Sequence, residues 1–259
     1  MNNPHTFALF VPEFPPINNG TITLSDPELI RRVASVLRLT IGDQLILFDE
    51  QQALTITITA LKNEKRGLLS ASIIDQQATV SPLPSINLYV GLTKREAFEA
   101  VVYAATQTGV ATITPVLSSK IHNNWLAPKD ALRLTKIAAA AAEQSKQFAL
   151  PLIKPAASFA VAVGACRGVW LLADPTGTSL LTAINDAGVG LSKGSGSSIN
   201  VWIGPEGGFT AAEIAALQGQ GAQLVALTPG ILRTQDAALV MLAVVRSLAP
   251  RTLPWELLL

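Results

Sequence analysis

The sequence predicts a two-part α/β chain: a small antiparallel barrel or sandwich up to about residue 80, then a mostly parallel sheet covered by helices on both faces. Three observations carry this. Over the first 75 positions the apolar residues fall in short runs with strand periodicity. From residue 86 onward, near-continuous apolar runs suited to buried strands alternate with helical patterns. Between the two stands Ser81-Pro82-Leu83-Pro84, a linker-like segment that belongs to neither pattern.

In the first part, residues 7–11, 44–48, 53–61 and 68–74 read as strands. In the third of these Leu54, Ile56 and Ile58 alternate with Thr55, Thr57 and Thr59, the period of two that puts one set inward. One helix interrupts them, where Ser25-Asp26-Pro27-Glu28 has the form of a capping box with an early proline ahead of Leu29, Ile30, Val33 and Leu37. Gly42-Asp43 then turns the chain back into a strand.

In the second part a strand over 86–92 leads into Thr93-Lys94-Arg95-Glu96, another capping-box pattern. The helix that follows places Ala97, Phe98, Val101, Val102 and Ala105 inward and stops at Gly109. A strand over 110–116, a helix over 130–146 and strands over 169–173 and 199–203 come next. A helix after Thr210, a strand over 223–227 and a long helix after Thr234 complete the pattern. Residues 188–198, rich in glycine and serine, read as a surface loop, because their glycines match no strand-to-helix nucleotide fingerprint.

Composition narrows the function classes. Of 259 residues 49% are hydrophobic and 14% charged, which excludes a disordered chain. A net charge of +1 supplies no bulk positive field, so a nucleic-acid site must be a local patch. Such a patch exists: residues 94–154 carry eight Lys or Arg against four acids, and Arg31, Arg32 and Arg38 cluster on or just after the first helix. The single Cys166 excludes a disulfide framework and reads as a small buried residue. With only His5 and His122 beside it, no metal site is expected. The first residues lack a basic stretch followed by a long apolar run, and the charge-poor stretch 214–232 is broken by Gly219, Gly221, Pro229 and Gly230. A cytoplasmic protein without membrane spans is therefore expected.

Ligands of parallel sheets bind beyond the carboxyl ends of the strands, which selects the loops after Ala173, Ile203 and Leu227. The second loop, Ile203-Gly204-Pro205-Glu206-Gly207-Gly208-Phe209-Thr210, carries three glycines around a proline and a carboxylate, more than a tight turn requires. Thr210 and Glu213 after it have capping-box spacing. The third loop, Leu227-Thr228-Pro229-Gly230-Ile231-Leu232-Arg233, ends a strand with a Pro-Gly turn and places Arg233 just before a helix, with Thr234 as its cap. An arginine at a helix start opposes the dipole there and so points to a ligand.

Ile-Gly-Pro-Glu-Gly-Gly-Phe-Thr-x-x-Glu at 203–213 together with Ile-Leu-Arg-Thr at 231–234 resembles the bacterial 16S ribosomal RNA uridine N3-methyltransferase family of the SPOUT superfamily. Val36-Leu37-Arg38-Leu39 with Gly42-Asp43, Gly109-Val110 followed by Ile113-Thr114-Pro115, and Ala142-Glu143-Gln144-Ser145 with Leu150-Pro151 extend the likeness in order over nearly the whole chain.

The resemblance implies a PUA-like RNA-binding β-barrel over 1–80 and a SPOUT methyltransferase domain over 81–259 with a C-terminal trefoil knot, acting as a homodimer. It implies S-adenosylmethionine as cofactor, cradled by Leu172, Ala173, Asp174, Gly204, Pro205, Glu206, Gly207, Gly208, Leu227, Ile231 and Leu232. The implied partner is the 16S rRNA of the small ribosomal subunit, with Arg31, Arg32, Arg38, Lys94, Arg95 and Lys146 on the RNA. Arg233 and Glu206 fall at the reacting centre: Arg233 to stabilise charge developing on the uracil carbonyls, Glu206 to offset the cofactor's positive charge or to cap backbone amides.

The chain departs from the family pattern at Thr228 and Gly230, where glycine and arginine are usual, and at Gln235, where glutamate is usual. Lys146-Gln147 replaces Gly-Arg, and Arg32 stands at a position that is often histidine. These departures keep two other readings open: an inactive ribosome-associated RNA-binding protein of the same fold, and a SPOUT enzyme that methylates a ribose 2′-hydroxyl.

Overall fold

A computed structural model describes residues 6–62, 67–121, 125–186 and 198–248. His5, His122 and all of the 188–198 loop except Ser198 lie outside the described residues. The chain forms two compact units. Among the described residues, one holds those up to Val80 together with Ala142–Phe148, the other Ser81–Ala141 and those from Ala149 on.

The first unit contains β1 (Phe7–Phe10), β2 (Thr21–Leu24), α1 (Pro27–Arg31), β3 (Gln44–Phe48), β4 (Gln52–Lys62) and β5 (Leu68–Ala78), in a sheet of order β1-β3-β4-β5-β2. The alternation in β4 buries Leu54, Ile56 and Ile58 against Leu9, Ile22, Leu45, Leu47 and Leu69. The sheet is not purely antiparallel as expected. β1 runs parallel to β3, because β2 and α1 intervene and return the chain to the same end. Strand β2, only four residues long, escaped the sequence reading.

The first helix also differs. Its cap is Asp26, whose carboxylate accepts from the backbone N–H of Glu28 at 2.8 Å and of Leu29 at 3.4 Å, while Ser25 stays outside. Pro27 at the first helical position places the cap one residue later than the box pattern suggests. After Arg31 the helix widens into a π-helical turn, Arg32–Val36, closed by Leu37 N–H on the Arg32 carbonyl. Arg38 then adopts a left-handed conformation at φ 56°.

The second unit contains β6 (Ile86–Gly91), α2 (Arg95–Gln107), β7 (Thr112–Leu117), α3 (Pro128–Ser145, which enters the first unit at Ala142), β8 (Leu152–Ile153) and β9 (Ala157–Ser158). It continues with α4 (Phe159–Ala165), β10 (Val169–Thr178), α5 (Leu180–Asp186), β11 (Ile199–Ile203), α6 (Ala211–Gly219), β12 (Gln223–Val225) and α7 (Thr234–Leu248). Its sheet has the order β12-β10-β11-β6-β7-β8, with β9 also on β7, and every pairing is parallel as expected. From β6 the chain steps outward through β7, then returns at β10 to the other side, with β11 filling the gap beside β6. That reversal of direction creates a crevice at the carboxyl ends of β6, β10 and β11.

Both faces of the sheet are covered. On one, Phe98, Val101 and Val102 of α2 and Met241, Leu242 and Val245 of α7 pack on Ile86, Leu88, Val90 and Val201. On the other, Tyr89, Trp170 and Trp202 form a ladder of rings, with Tyr89 and Trp202 stacked at 4.5 Å and Trp170 and Trp202 at 5.6 Å. Phe209 abuts Trp202 at 6.3 Å. Cys166 is buried in this layer, and burial pushes its thiol up to about 11.

The box expected at 93–96 does not form. Lys94 is the cap of α2 and makes no side-chain capping bond, while buried Thr93 donates its hydroxyl to the Lys94 carbonyl. The box at 210–213 does form, with both reciprocal bonds present.

Candidate active site

The carboxyl ends of β10, β11 and β12 open into a cavity of about 890 Å³ within the second unit. Its floor is the 204–209 loop, whose shape depends on missing side chains. A Cβ on Gly204 would stand 3.0 Å from the Gly208 Cα and 3.1 Å from the Phe209 nitrogen, so the returning backbone would have to give way to accept one. Gly208 takes φ +66°, a conformation that favours glycine, and its N–H closes a turn onto the Pro205 carbonyl at 2.8 Å.

The first wall is a bulge in β10. The strand leaves β12 after Ala173 and rejoins it at Thr178, so Asp174-Pro175-Thr176-Gly177 protrudes. Asp174 Oδ1 accepts from the N–H of Thr176 at 2.8 Å and from its hydroxyl at 2.6 Å, which fixes the turn. The opposite wall is the segment between β12 and α7, where the Thr228 hydroxyl donates to the Gly230 carbonyl at 2.7 Å. Thr234 is not the cap expected of it: it is the first residue of α7, and its hydroxyl donates to the Gly204 carbonyl at 3.0 Å, tying this wall to the floor.

All eleven residues expected to hold a cofactor line this cavity, and so does Arg233. Leu172, Ile203, Val225, Leu227 and Leu232 give it apolar surface, and Ile231 stands at its mouth, 88% exposed. Glu206 and Lys94 also face it. Glu206 Oε1 accepts from the Lys94 backbone N–H at 3.1 Å, supplying the start of α2 with the acceptor that Lys94's own side chain cannot. The three positions of departure, Thr228, Gly230 and Gln235, line the same cavity.

The remaining expected RNA contacts lie elsewhere. Arg31 and Arg38 are exposed on the first unit, and Lys146, at φ 56°, ends α3. Arg32 forks onto Glu143, with Nη2 to Oε2 at 2.6 Å. Arg95 pairs with Asp130 at 2.6 Å and lies 4.6 Å over the Trp125 ring. The backbone N–H of Ala127 and the Arg95 guanidinium together hold the Asp130 carboxyl below the usual range.

Several supporting residues escaped the sequence reading. Gly91 at the end of β6 and Gly177 in the β10 bulge leave no room for a Cβ, against Pro205 and against the backbone of Leu224 and Val225 respectively. An isolated glycine closing a strand was the available signal. The segment after β7 contributes Lys120, which reaches the floor loop from outside the cavity, and Ser119, which bonds to Glu213 of α6; the sequence showed Lys120 only as one charge of the 94–154 patch. Among the described residues, no cluster of three or more His, Cys, Asp or Glu could hold a metal, and no helix is long and apolar enough to cross a membrane.

A parallel sheet with a cavity of about 890 Å³ at a reversal of strand order defines the class, an α/β protein with its candidate site built from three strand-end loops. Residues 80–246 match the RNA methyltransferase domain family, and the chain belongs to it. The chain is 27% identical over 240 residues to ribosomal RNA small subunit methyltransferase E of Mycobacterium tuberculosis, covering 90% of this chain and 89% of that protein. It is 27% identical to the enzyme of the same name from Bacillus subtilis over 84% and 87%. Among solved structures, ribosomal RNA small subunit methyltransferase E from Neisseria gonorrhoeae bound to S-adenosyl methionine superposes with a TM-score of 0.77 at 25% identity, over 95% of this chain and 98% of that one. A protein from Legionella pneumophila in complex with the same cofactor gives 0.76 at 25% identity, with the same coverage.

Proposed function

We propose that the protein transfers the methyl group of S-adenosylmethionine to N3 of a uridine in the 16S rRNA of the small ribosomal subunit. The observation that carries this reading is the convergence of the 172–175, 204–208 and 227–233 loops on one cavity, in a chain that aligns over 90% of its length with a ribosomal RNA small subunit methyltransferase E. The residues fit the cofactor. A cavity of about 890 Å³ lies within the range of small-molecule sites. Its apolar strand ends suit an adenine, and its side-chain-free floor allows backbone groups to approach closely.

When bound, the cofactor supplies an electrophilic methyl on a sulfonium. The chain's own part is positioning, since an in-line displacement gains most from holding the two reactants aligned. The 204–208 floor and the 228–233 wall, tied together by Thr234, keep the ligand's place fixed. The uracil N3 must lose its proton, and the charge that develops on O2 and O4 is met by the guanidinium of Arg233 at the cavity wall. Glu206 anchors the start of α2 and presents a carboxylate toward the positive ligand. Reaching the site requires the target base to leave its stack, at a cost of a few kcal/mol.

The first unit is proposed as a PUA-like barrel that grips RNA through Arg31, Arg38 and Lys146, with Lys94 and Arg95 on the second, while Arg32, also expected on the RNA, is engaged by Glu143. The second is proposed to carry a trefoil knot where the 227–233 segment meets the 204 loop, in a cytoplasmic homodimer. Thr228, Gly230 and Gln235 all line the cavity, which favours, as a second reading, a protein that binds RNA but transfers nothing. Incubation with labelled cofactor and undermethylated small subunits, followed by mapping of the modified nucleoside, separates the readings. N3-methyluridine supports the proposal, and a ribose-methylated nucleoside replaces it with 2′-O-transfer. RNA binding without cofactor binding or label supports the inactive protein.

A further inference from the structure

The floor of the cavity is held from behind by a segment that takes no part in lining it. Lys120, an exposed residue in the turn that follows β7, donates from its ammonium to the Gly207 carbonyl at 2.6 Å and to the Phe209 carbonyl at 3.3 Å. Its stem runs along the loop, so that a Cβ on Gly207 would stand 3.3 Å from the Lys120 Cδ. Beside it, Ser119 donates its backbone N–H at 2.8 Å and its hydroxyl at 3.1 Å to Glu213 Oε1. The other oxygen of that carboxylate accepts from the N–H and hydroxyl of Thr210 at 2.8 and 3.0 Å. Glu213 is 6% exposed, so these bonds are made away from water.

The two peptide planes that Lys120 grips, 207–208 and 209–210, are fully committed. Their carbonyls go to the ammonium, while their N–H groups go to the Pro205 carbonyl and to Glu213. A loop with glycine at 204, 207 and 208 has more backbone freedom to lose than one with side chains at those positions. Here that freedom is removed by a cation and a carboxylate lying outside the cavity, before any ligand arrives.

We propose that Lys120 is a positioning residue for the cofactor loop, its ammonium fixing the Gly207 and Phe209 carbonyls so that the floor is ordered in the free protein. This rests on the reading that the 204–208 loop holds S-adenosylmethionine. Loss of a charge-assisted hydrogen bond that preorganises a site weakens binding by about tenfold.

The test compares Lys120→Met, which keeps the stem and removes the charge, with Lys120→Arg, which keeps a donor. Amide hydrogen exchange of residues 207–210 is followed in the full-length protein without ligand, and S-adenosylmethionine affinity is measured by calorimetry. Lys120→Met should raise exchange across the loop, weaken binding about tenfold and raise the cofactor KM with little change in kcat, and Lys120→Arg should restore most of each. Unaltered exchange and affinity in Lys120→Met would overturn the proposal. If the unmutated protein binds no S-adenosylmethionine, the reading of the loop fails, while the exchange comparison still decides whether Lys120 orders it.

Discussion

Arg32 and Glu143 lie 111 positions apart and meet in a two-pronged ion pair, Nη2 to Oε2 at 2.6 Å and Nη1 to Oε1 at 3.1 Å. Glu143 also accepts from the Phe10 backbone N–H at 2.9 Å, so one carboxylate joins β1, the π-helical turn and the end of α3 inside the first unit. The pair is partly exposed, which limits its worth, but the backbone bond shares its geometry. Glu143→Gln should lower stability by about 1 to 2 kcal/mol. Urea denaturation checks this, and an unchanged midpoint would reduce the pair to a passive surface contact.

Because Arg32 is committed to Glu143, the exposed cations Arg31 and Arg38 are the better phosphate partners. Arg31→Ala and Arg38→Ala should each weaken rRNA binding and lower the slope of log K against log salt by about 1, with cofactor affinity untouched. Binding measured across a salt series decides it. Slopes identical to that of the unmutated protein would move the RNA away from this unit.

Arg233 lines the cavity and is exposed, and the role proposed for it is to meet charge that develops during reaction. Arg233→Ala should lower turnover by roughly two to three orders of magnitude, by analogy with the loss of one oxyanion donor, while cofactor affinity changes little. Single-turnover rates and calorimetry on the same preparation separate the two quantities. Binding lost in proportion to rate would make Arg233 a cofactor ligand.

Glu213 gives the protein a specific acid sensitivity. Burial pushes its carboxyl up, but the hydrogen bonds from Thr210 and Ser119 outweigh burial and leave it below the usual range. The folded protein therefore takes up this proton less readily than the unfolded chain. The stabilisation is complete above the unfolded value of about 4.3 and is lost as pH falls through the lower folded value. Glu213→Gln should be less stable than the unmutated protein at neutral pH, and the gap should narrow as pH falls below about 4. Urea midpoints at several pH values test this, and a gap that stays constant or widens on acidification would contradict it.

The second unit was the more legible half of the sequence. Its long buried strands, such as Ile199–Ile203, admit only a parallel, doubly covered sheet, and the glycines at 204, 207 and 208 advertise their loop. Short elements such as β2, β8 and β9 carry too few residues for any period to show. Caps shifted by a residue, at Asp26 and Lys94, because proline and local backbone geometry choose among adjacent polar side chains. The departure at Lys146 has a backbone meaning: φ 56° at the residue after α3 is where glycine costs nothing, and lysine there bears strain of about 1 kcal/mol. Contacts between segments distant in the chain, such as Lys120 with Gly207 or Arg32 with Glu143, follow from the path of the backbone and leave no mark in either segment alone.

The ring ladder under the floor loop also makes the site optically visible. Trp170, Trp202 and Tyr89 lie within 17° of a common plane direction, and Phe209, the loop's last apolar residue, meets the face of Trp202 at 62°. Indole and phenol transitions held this close and this parallel couple to one another, so this spot contributes to the near-ultraviolet circular dichroism of the protein. A tilt of Phe209 perturbs that spot first, and the order of the floor is thereby legible in a spectrum taken on the unlabelled protein.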